Sequence, residues 1–231
     1  MREVFKNELN ALADDLVTMT TKAADAVEKA SRALETNDLD LAEAVIDGDA
    51  AIDNLQRHVD QQAAQILALQ APVAHDLRVV ISALKMSVAI ERMGDLARHI
   101  ASLVRIRHPQ PAVPAAFADT FVLMGRSAAR IGHALQQLLD NPGLDSVPTI
   151  TAIDEELDEQ HLRVFSMISE LDSSEITPSQ IADVTLLSRY YERFGDQCVN
   201  VSQRVEYLLT GSWEPELSAN DAAEQRTEPR H

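Results

Sequence analysis

A single cysteine, Cys198, rules out an intrachain disulfide and suits a reducing compartment. It shares a helical face with Phe194, Val201 and Val205, which makes it a core residue. Glycine is scarce, seven in 231 residues, and aromatic side chains make up 4%. With abundant Ala, Leu, Asp, Glu and Arg, that composition points to an all-α protein. No run approaches 18 consecutive apolar residues, and the first residues alternate in charge with no apolar stretch. A soluble, cytoplasmic chain without direct membrane insertion is therefore expected. Basic charge is in deficit: the formal net charge of −17 excludes nucleic acid as a partner, because phosphates need a basic footprint. Catalytic signatures are missing as well. There is no phosphate-cradling glycine loop, no serine nucleophile elbow and no Cys-His arrangement. A ferritin-like di-iron oxidase needs Glu-x-x-His twice, and the nearest match is one Asp158-Glu159-Gln160-His161. The chain reads as a non-enzyme.

What is present is a five-residue phrase that occurs twice, Glu91-Arg92-Met93-Gly94-Asp95 and Glu192-Arg193-Phe194-Gly195-Asp196. On a helix, residues four apart stand one turn apart on the same face, so each phrase aligns two carboxylates. Like charges at that spacing cost a few tenths of a kcal/mol, and a mid-helix glycine adds about 1 kcal/mol relative to alanine. The same costly turn, repeated 101 residues later, marks two copies of one unit.

Periodicity supports that division. Phe5, Leu9, Leu12, Leu16, Met19, Ala23, Ala26, Ala30 and Ala33 recur at steps of four and three and predict a helix over about 3–35. Thr36-Asn37-Asp38 stops it and caps a second helix over about 38–69. Pro72 is expected at the first position of a third helix that runs to about Arg107. In that helix Leu77, Ile81, Leu84 and Val88 form a second apolar stripe, which predicts cover on both sides of its first half. His108 to Pro114 holds three prolines in seven residues and separates the copies. A fourth helix begins near Phe117 and ends at Asn141-Pro142-Gly143; a fifth begins near Ser146 and runs to Leu171. Thr177-Pro178 opens the sixth as cap and first residue, and Gly211 ends it. The expected architecture is a tandem repeat of two antiparallel three-helix bundles, residues 1–108 and 112–211. Residues 212–231 carry five acids and two arginines without periodicity and are expected to be a disordered acidic tail; docking of Trp213 on the end of the sixth helix stays open.

The second and fifth helices carry acidic pairs of their own, Asp49 with Asp53 and Asp154 with Asp158. On a 100° wheel each pair lies about 60° and 100° from a seam residue, Ile52 or Leu157. Glu91 with Asp95 and Glu192 with Asp196 lie about 100° and 140° from Ile90 and Tyr191. Each bundle thus offers four carboxylates at the rim of its seam. Converging carboxylates repel unless a cation joins them, and all-oxygen ligands suit hard or borderline ions, with more than one ion bridged by the same acids as an option. The bland alternative is a solvated acidic face. His99 and Asn200, one turn beyond Asp95 and Asp196, are either further ligands or hydrogen-bonding surface residues; His161 reads as packed or as support to ligands. Arg92 and Arg193 neutralise neighbouring acids. Gly94 and Gly195 admit either a ligand or a closely packed helix.

The doubled Glu-Arg-x-Gly-Asp phrase in tandem three-helix units resembles the PhoU family, regulators associated with the phosphate-specific ABC transporter. The resemblance spans about residues 1–211 and includes Pro72-Val73-Ala74 followed by Asp76-Leu77-Arg78. It implies multinuclear metal sites on Asp49, Asp53, Glu91, Asp95, Asp154, Asp158, Glu192 and Asp196, loaded with divalent or trivalent ions (Mg, Mn, Fe or Zn). It also implies negative regulation of phosphate uptake and of the phosphate-starvation response, through the transporter and a PhoR-type sensor histidine kinase. Association into a homo-oligomer stays open. His99 stands where that family's pattern, kept by Asn200, has asparagine, which makes the two sites chemically unequal. The competing reading is a metal-free helical adaptor whose acidic faces dock a basic partner; a carboxylate-metal enzyme is a third.

Overall fold

The computed structural model describes residues 2–172 and 174–212. Six helices account for nearly all of them: α1 Arg2–Thr36, α2 Leu39–Gln70, α3 Ala74–Arg107, α4 Ala118–Asp140, α5 Val147–Glu170 and α6 Pro178–Thr210. Single 3-10 turns at Ala115–Phe117 and Leu144–Ser146 lead into α4 and α5. The expected tail and Trp213 lie outside the described residues, apart from Ser212.

Helix ends follow the local chemistry. Asp38 caps α2 by accepting from the Leu41 amide at 3.0 Å, after Asn37 has turned the chain at φ 53°. Thr177 and Gln180 form a reciprocal capping box at the start of α6, with Pro178 in the first turn, and Gly211 ends that helix at φ 76°. The start of α3 differs from expectation. Pro72 precedes the helix, which begins at Ala74 behind an extended Val73 (φ −129°, ψ 157°). The residue before a proline is kept out of the right-handed helical region, and Ala71 turns the chain instead from the left-handed region at φ 44°.

Each half is a three-helix bundle, with α2 against α1 and α3, and α5 against α4 and α6. The halves are joined side by side, α1 along α4 and α3 along α6, over one continuous apolar core. The α3–α6 pair is antiparallel. Arg78 stacks on Tyr207, His99 on Tyr190, and Arg107 grips Asp183 and Ser179, so residue numbers rise on one helix as they fall on the other. A shift of 101 residues carries the 78–207 contact onto 179–106, beside the observed Arg107–Ser179 contact, so the halves are related by an approximate two-fold axis between α3 and α6. Small residues allow the close approach on the other side. A Cβ added to Gly132 would stand 3.1 Å from that of Ala24, and one on Gly125 2.8 Å from that of Ser31.

The second apolar stripe of α3 is not covered as expected: Ile81 and Val88 are 41% and 49% exposed. Buried in their place are Ser82 and Ser87, and Ser87 donates its hydroxyl to the Leu84 carbonyl of its own helix at 2.8 Å. A serine bonded to the preceding turn has no unmet polar group and little volume, so it enters an interface that the hydrophobic pattern would assign to a larger side chain.

Candidate functional site

The repeated phrases lie on α3 and α6 at the middle of the join, with Met93 and Phe194 fully buried there. Glu91 and Asp95 flank the line of packing, or groove, between α3 and α2, where they act on Asp49 and Asp53 of α2; Glu192 and Asp196 flank that between α6 and α5, where they act on Asp154 and Asp158. The glycines set the width of each groove. A Cβ on Gly94 would stand 2.8 Å from Ile52 Cδ1 and 3.4 Å from Asp49 Oδ1; one on Gly195 would collide with Asp154 Oδ1 and stand 3.0 Å from Leu157 Cδ1. Of the two roles open to these glycines, both perform close helix packing: the nearest neighbour admitted is Ile52 at Gly94 and Asp154 at Gly195.

The contrast with Gly48, which has nothing within 4 Å of an added Cβ, gives a paired prediction. Gly48→Ala should stabilise by about 1 kcal/mol through helix propensity alone. Gly195→Ala should instead cost roughly 1–2 kcal/mol, because crowding of Leu157 and Asp154 outweighs the same propensity gain. Denaturant melts in chelator decide it, and equal effects at the two positions would refute the packing role.

In the first groove, burial, followed by the Asp53 and Asp95 charges, raises the Asp49 carboxyl pKa, while the Arg98 guanidinium pulls it back. Burial and then Asp95 raise Glu91. Arg98 bridges the groove, with Nε 2.6 Å from Asp49 Oδ2 and a terminal nitrogen 2.6 Å from Asp95 Oδ1. Arg92 approaches Asp95 at 3.2 Å and Glu91 at 3.8 Å.

In the second groove Asp154 is pushed up to about 7, first by burial and then by Asp158, Asp196 and Glu192. Burial also raises Asp158 and Glu192, each further raised by Asp196. Arg189 reaches Glu192 Oε1 at 2.6 Å, and Arg193 stands 3.9 Å from Asp196. Asp154 Oδ1 and Glu192 Oε2 are buried and have no hydrogen-bond partner among the described residues. Glu192 is only 9% exposed.

All eight predicted acids therefore fall in the two grooves, and within each groove they act on one another electrostatically. Of the flanking residues, only His161 feels these charges, through Asp158. His99 stacks on Tyr190 across the join, ring centroids 5.2 Å apart, and Asn200 accepts from Arg204 Nε at 3.3 Å. His161 is packed, its Nδ1 3.0 Å from Ser188 Oγ and its ring edge-on to Phe165; burial lowers its pKa. Sequence reasoning missed Arg98. Its spacing of three from Asp95 was readable, but its reach to Asp49 on another helix was not.

Among the described residues no group of three or more His, Cys, Asp or Glu side chains is set to hold a metal ion as it stands. The donor chemistry of the second groove nonetheless fits a cation: oxygen ligands only, mutually raised pKa values and two buried oxygens with nothing to bond.

The PhoU domain model matches this chain twice, over residues 16–104 and 121–205. The chain belongs to the PhoU family. It is 38% identical, over 92% of its length, to the phosphate-specific transport system accessory protein PhoU homolog 2 of Mycobacterium tuberculosis, all of which is covered. It is also 38% identical, over 92% of its length and 96% of the relative's, to PhoU homolog 1 of Mycobacterium leprae. The crystal structure of the phosphate transport system regulatory protein PhoU from Streptococcus pneumoniae superposes with a TM-score of 0.81 at 26% identity, covering 91% of this chain and 99% of that one. PhoU from Pseudomonas aeruginosa gives the same score and identity, over 90% and 100%. One family match falls within each bundle, and each contains one whole acidic set, Asp49 to Asp95 and Asp154 to Asp196. Among the described residues no helix is long and apolar enough to cross a membrane.

The raised Asp154 pKa has a sign that can be tested. An aspartate held above its unfolded value of about 3.9 contributes stability that is complete below that value and is lost as pH rises through the folded one. Metal-free protein should therefore lose roughly 1–2 kcal/mol between pH 4 and 7 from this part-exposed group, after allowance for solvent screening. Asp154→Asn should flatten that loss and be the more stable protein at pH 8. Melts in chelator at pH 5 and pH 8 compare the two, and an identical pH dependence would show that Asp154 is ionised throughout.

Proposed function

We propose that this chain is a metal-binding, non-enzymatic negative regulator of phosphate uptake and phosphate-starvation signalling. It would act in the cytoplasm on a phosphate ABC transporter and a PhoR-type sensor kinase. The observation that supports it most is near-full-length similarity to phosphate-specific transport accessory proteins, at 38% identity. The site adds a chemical reason for metal: carboxylates crowded into grooves, two of their buried oxygens unbonded, require a cation to be stable when ionised. The ligands would be drawn from the eight acids named above, and Mg, Mn, Fe or Zn ions would be the cargo. A regulator without catalytic groups works by binding one state of a partner better than another, and metal occupancy would set the charge of the surface that does so.

Deleting the gene should switch on a starvation-promoter reporter in phosphate-replete cells, and the full chain should restore repression. An unchanged reporter in the deletion strain, with no related protein present, would reject the regulatory role. One observation favours the second reading, an acidic adaptor for a basic partner. Arg98 shows that a guanidinium can seat between Asp49 and Asp95, so a partner's arginine could seat between Asp154 and Asp196. Co-purification of metal with the wild-type protein, in the absence of immobilised-metal resin, separates the two readings.

A further inference from the structure

We infer that the two acidic grooves are functionally unequal: Arg98 is a built-in cation that closes the first groove to metal, and only the second groove, on Asp154, Asp158, Glu192 and Asp196, takes up ions. The inference rests on the metal-binding reading above. In the first groove the guanidinium spans the two helices at 2.6 Å from Asp49 on α2 and 2.6 Å from Asp95 on α3. Those two acids correspond to Asp154 and Asp196. The residue corresponding to Arg98 is Val199, 101 positions later, a partly buried side chain packed against the core. No ion pair bridges α5 and α6 there among the described residues: Arg189 and Arg193 belong to α6 and pair with Glu192 and Asp196 of the same helix, and the Arg189 charge reaches Asp158 of α5 only at longer range, partly offsetting the rise in its pKa. The consequence appears in the hydrogen bonding. Both Asp49 and Asp95 have a guanidinium partner, whereas Asp154 Oδ1 and the 9% exposed Glu192 keep a buried oxygen with none.

An arginine side chain cannot shed its charge at neutral pH, so it competes with a metal ion for the same carboxylates as a cation already in place. A divalent ion entering the first groove must displace a short charge-assisted hydrogen bond to Asp95 and a 2.6 Å ion pair with Asp49, and expel the guanidinium. In the second groove it competes with Arg189 for one oxygen of Glu192 but meets two buried oxygens, Asp154 Oδ1 and Glu192 Oε2, that have lost water and gained no partner. The acids supply similar donors in both grooves, so the residue at the Arg98 or Val199 position decides occupancy.

The test is Mn²⁺ binding to the full chain, stripped with chelator and dialysed, read by equilibrium dialysis with elemental analysis and by the electron paramagnetic resonance signal of free Mn²⁺. Wild type should bind Mn²⁺ in one groove: Asp154→Asn with Glu192→Gln should abolish uptake, and Asp49→Asn should leave it unchanged. Arg98→Val should about double the ions bound at saturation. Because Arg98→Val removes a compensating charge and could impair folding, the reverse variant Val199→Arg is measured beside it and should lose the greater part of its Mn²⁺, with circular dichroism checking that both are folded. Equal losses from Asp49→Asn and from Asp154→Asn with Glu192→Gln, or no effect of either exchange at the Arg98 and Val199 positions, would overturn the inequality and leave the metal-binding reading standing. No uptake by wild type, with Mn²⁺ or with Fe²⁺ under anaerobic conditions, would reject both.

Discussion

Residues 1–108 produced alone are expected not to form a stable folded monomer. In the intact chain α1 lies along α4 and α3 along α6, so half of each central helix is core only because the other half of the molecule covers it. Ala24 and Ser31 pack where Gly132 and Gly125 leave room, and Ser31 also accepts the Tyr191 hydroxyl at 2.9 Å. Cutting the chain also strips Arg107 of Asp183, a side chain 6% exposed, and His99 of Tyr190. The fragment would have to leave these faces in water or pair with another copy of itself. Light scattering coupled to size exclusion should show a dimer or larger species, and dilution should lower the melting temperature by roughly 15 °C or more, equivalent to about 3 kcal/mol for a domain of this size. In cells the fragment should restore repression poorly. A monomer that melts cooperatively near the temperature of the full chain would show instead that each bundle is self-sufficient.

Tyr191→Ala should be the most damaging single substitution at the join, costing about 4 kcal/mol. Tyr191 is among the largest fully buried side chains. Its ring lies 6.4 Å from that of Phe121, and its hydroxyl crosses from α6 to Ser31 on α1. Burial raises its phenol pKa above the ordinary value, so the hydroxyl stays a donor at any physiological pH. Tyr191→Phe keeps the volume and removes the donor, which should cost about 1 kcal/mol. Urea melts of the three proteins in chelator measure both steps. If Tyr191→Ala fell within about 1 kcal/mol of wild type, the joint would be relaxing around the gap.

Most of the helical framework was legible because it depends on short-range rules. Seams at steps of four and three located the core, and Asp38, Thr177 with Pro178, and Gly211 marked helix ends by chemistry confined to one turn. The equivalence of the acidic sets was legible for the same reason, since two copies of one phrase must fold alike. What escaped was whatever depended on the second helix of a contact. Arg98 carries no sign of its role in its own sequence neighbourhood, because Asp49 stands opposite it on another helix. His99 looked like a ligand candidate by spacing, and only the antiparallel pairing of α3 with α6 brings Tyr190 beneath its ring. The stripe of Ile81 and Val88 reads as interior, yet Ser82 and Ser87 are buried there, and a hydropathy pattern does not register that the Ser87 hydroxyl is already bonded to its own helix.

The approximate two-fold axis between α3 and α6 also bears on what the molecule can say to a partner. Two separate identical bundles meeting across such an axis would present the same groove twice, and any change in one would be copied in the other. Covalent linkage through residues 108–114 lifts that constraint. The chain can keep an arginine at position 98 and a valine at position 199, so a body that is nearly symmetric in shape has a distinguishable left and right. A partner that recognises charge can then dock in one orientation and not the other, which a symmetric dimer cannot enforce.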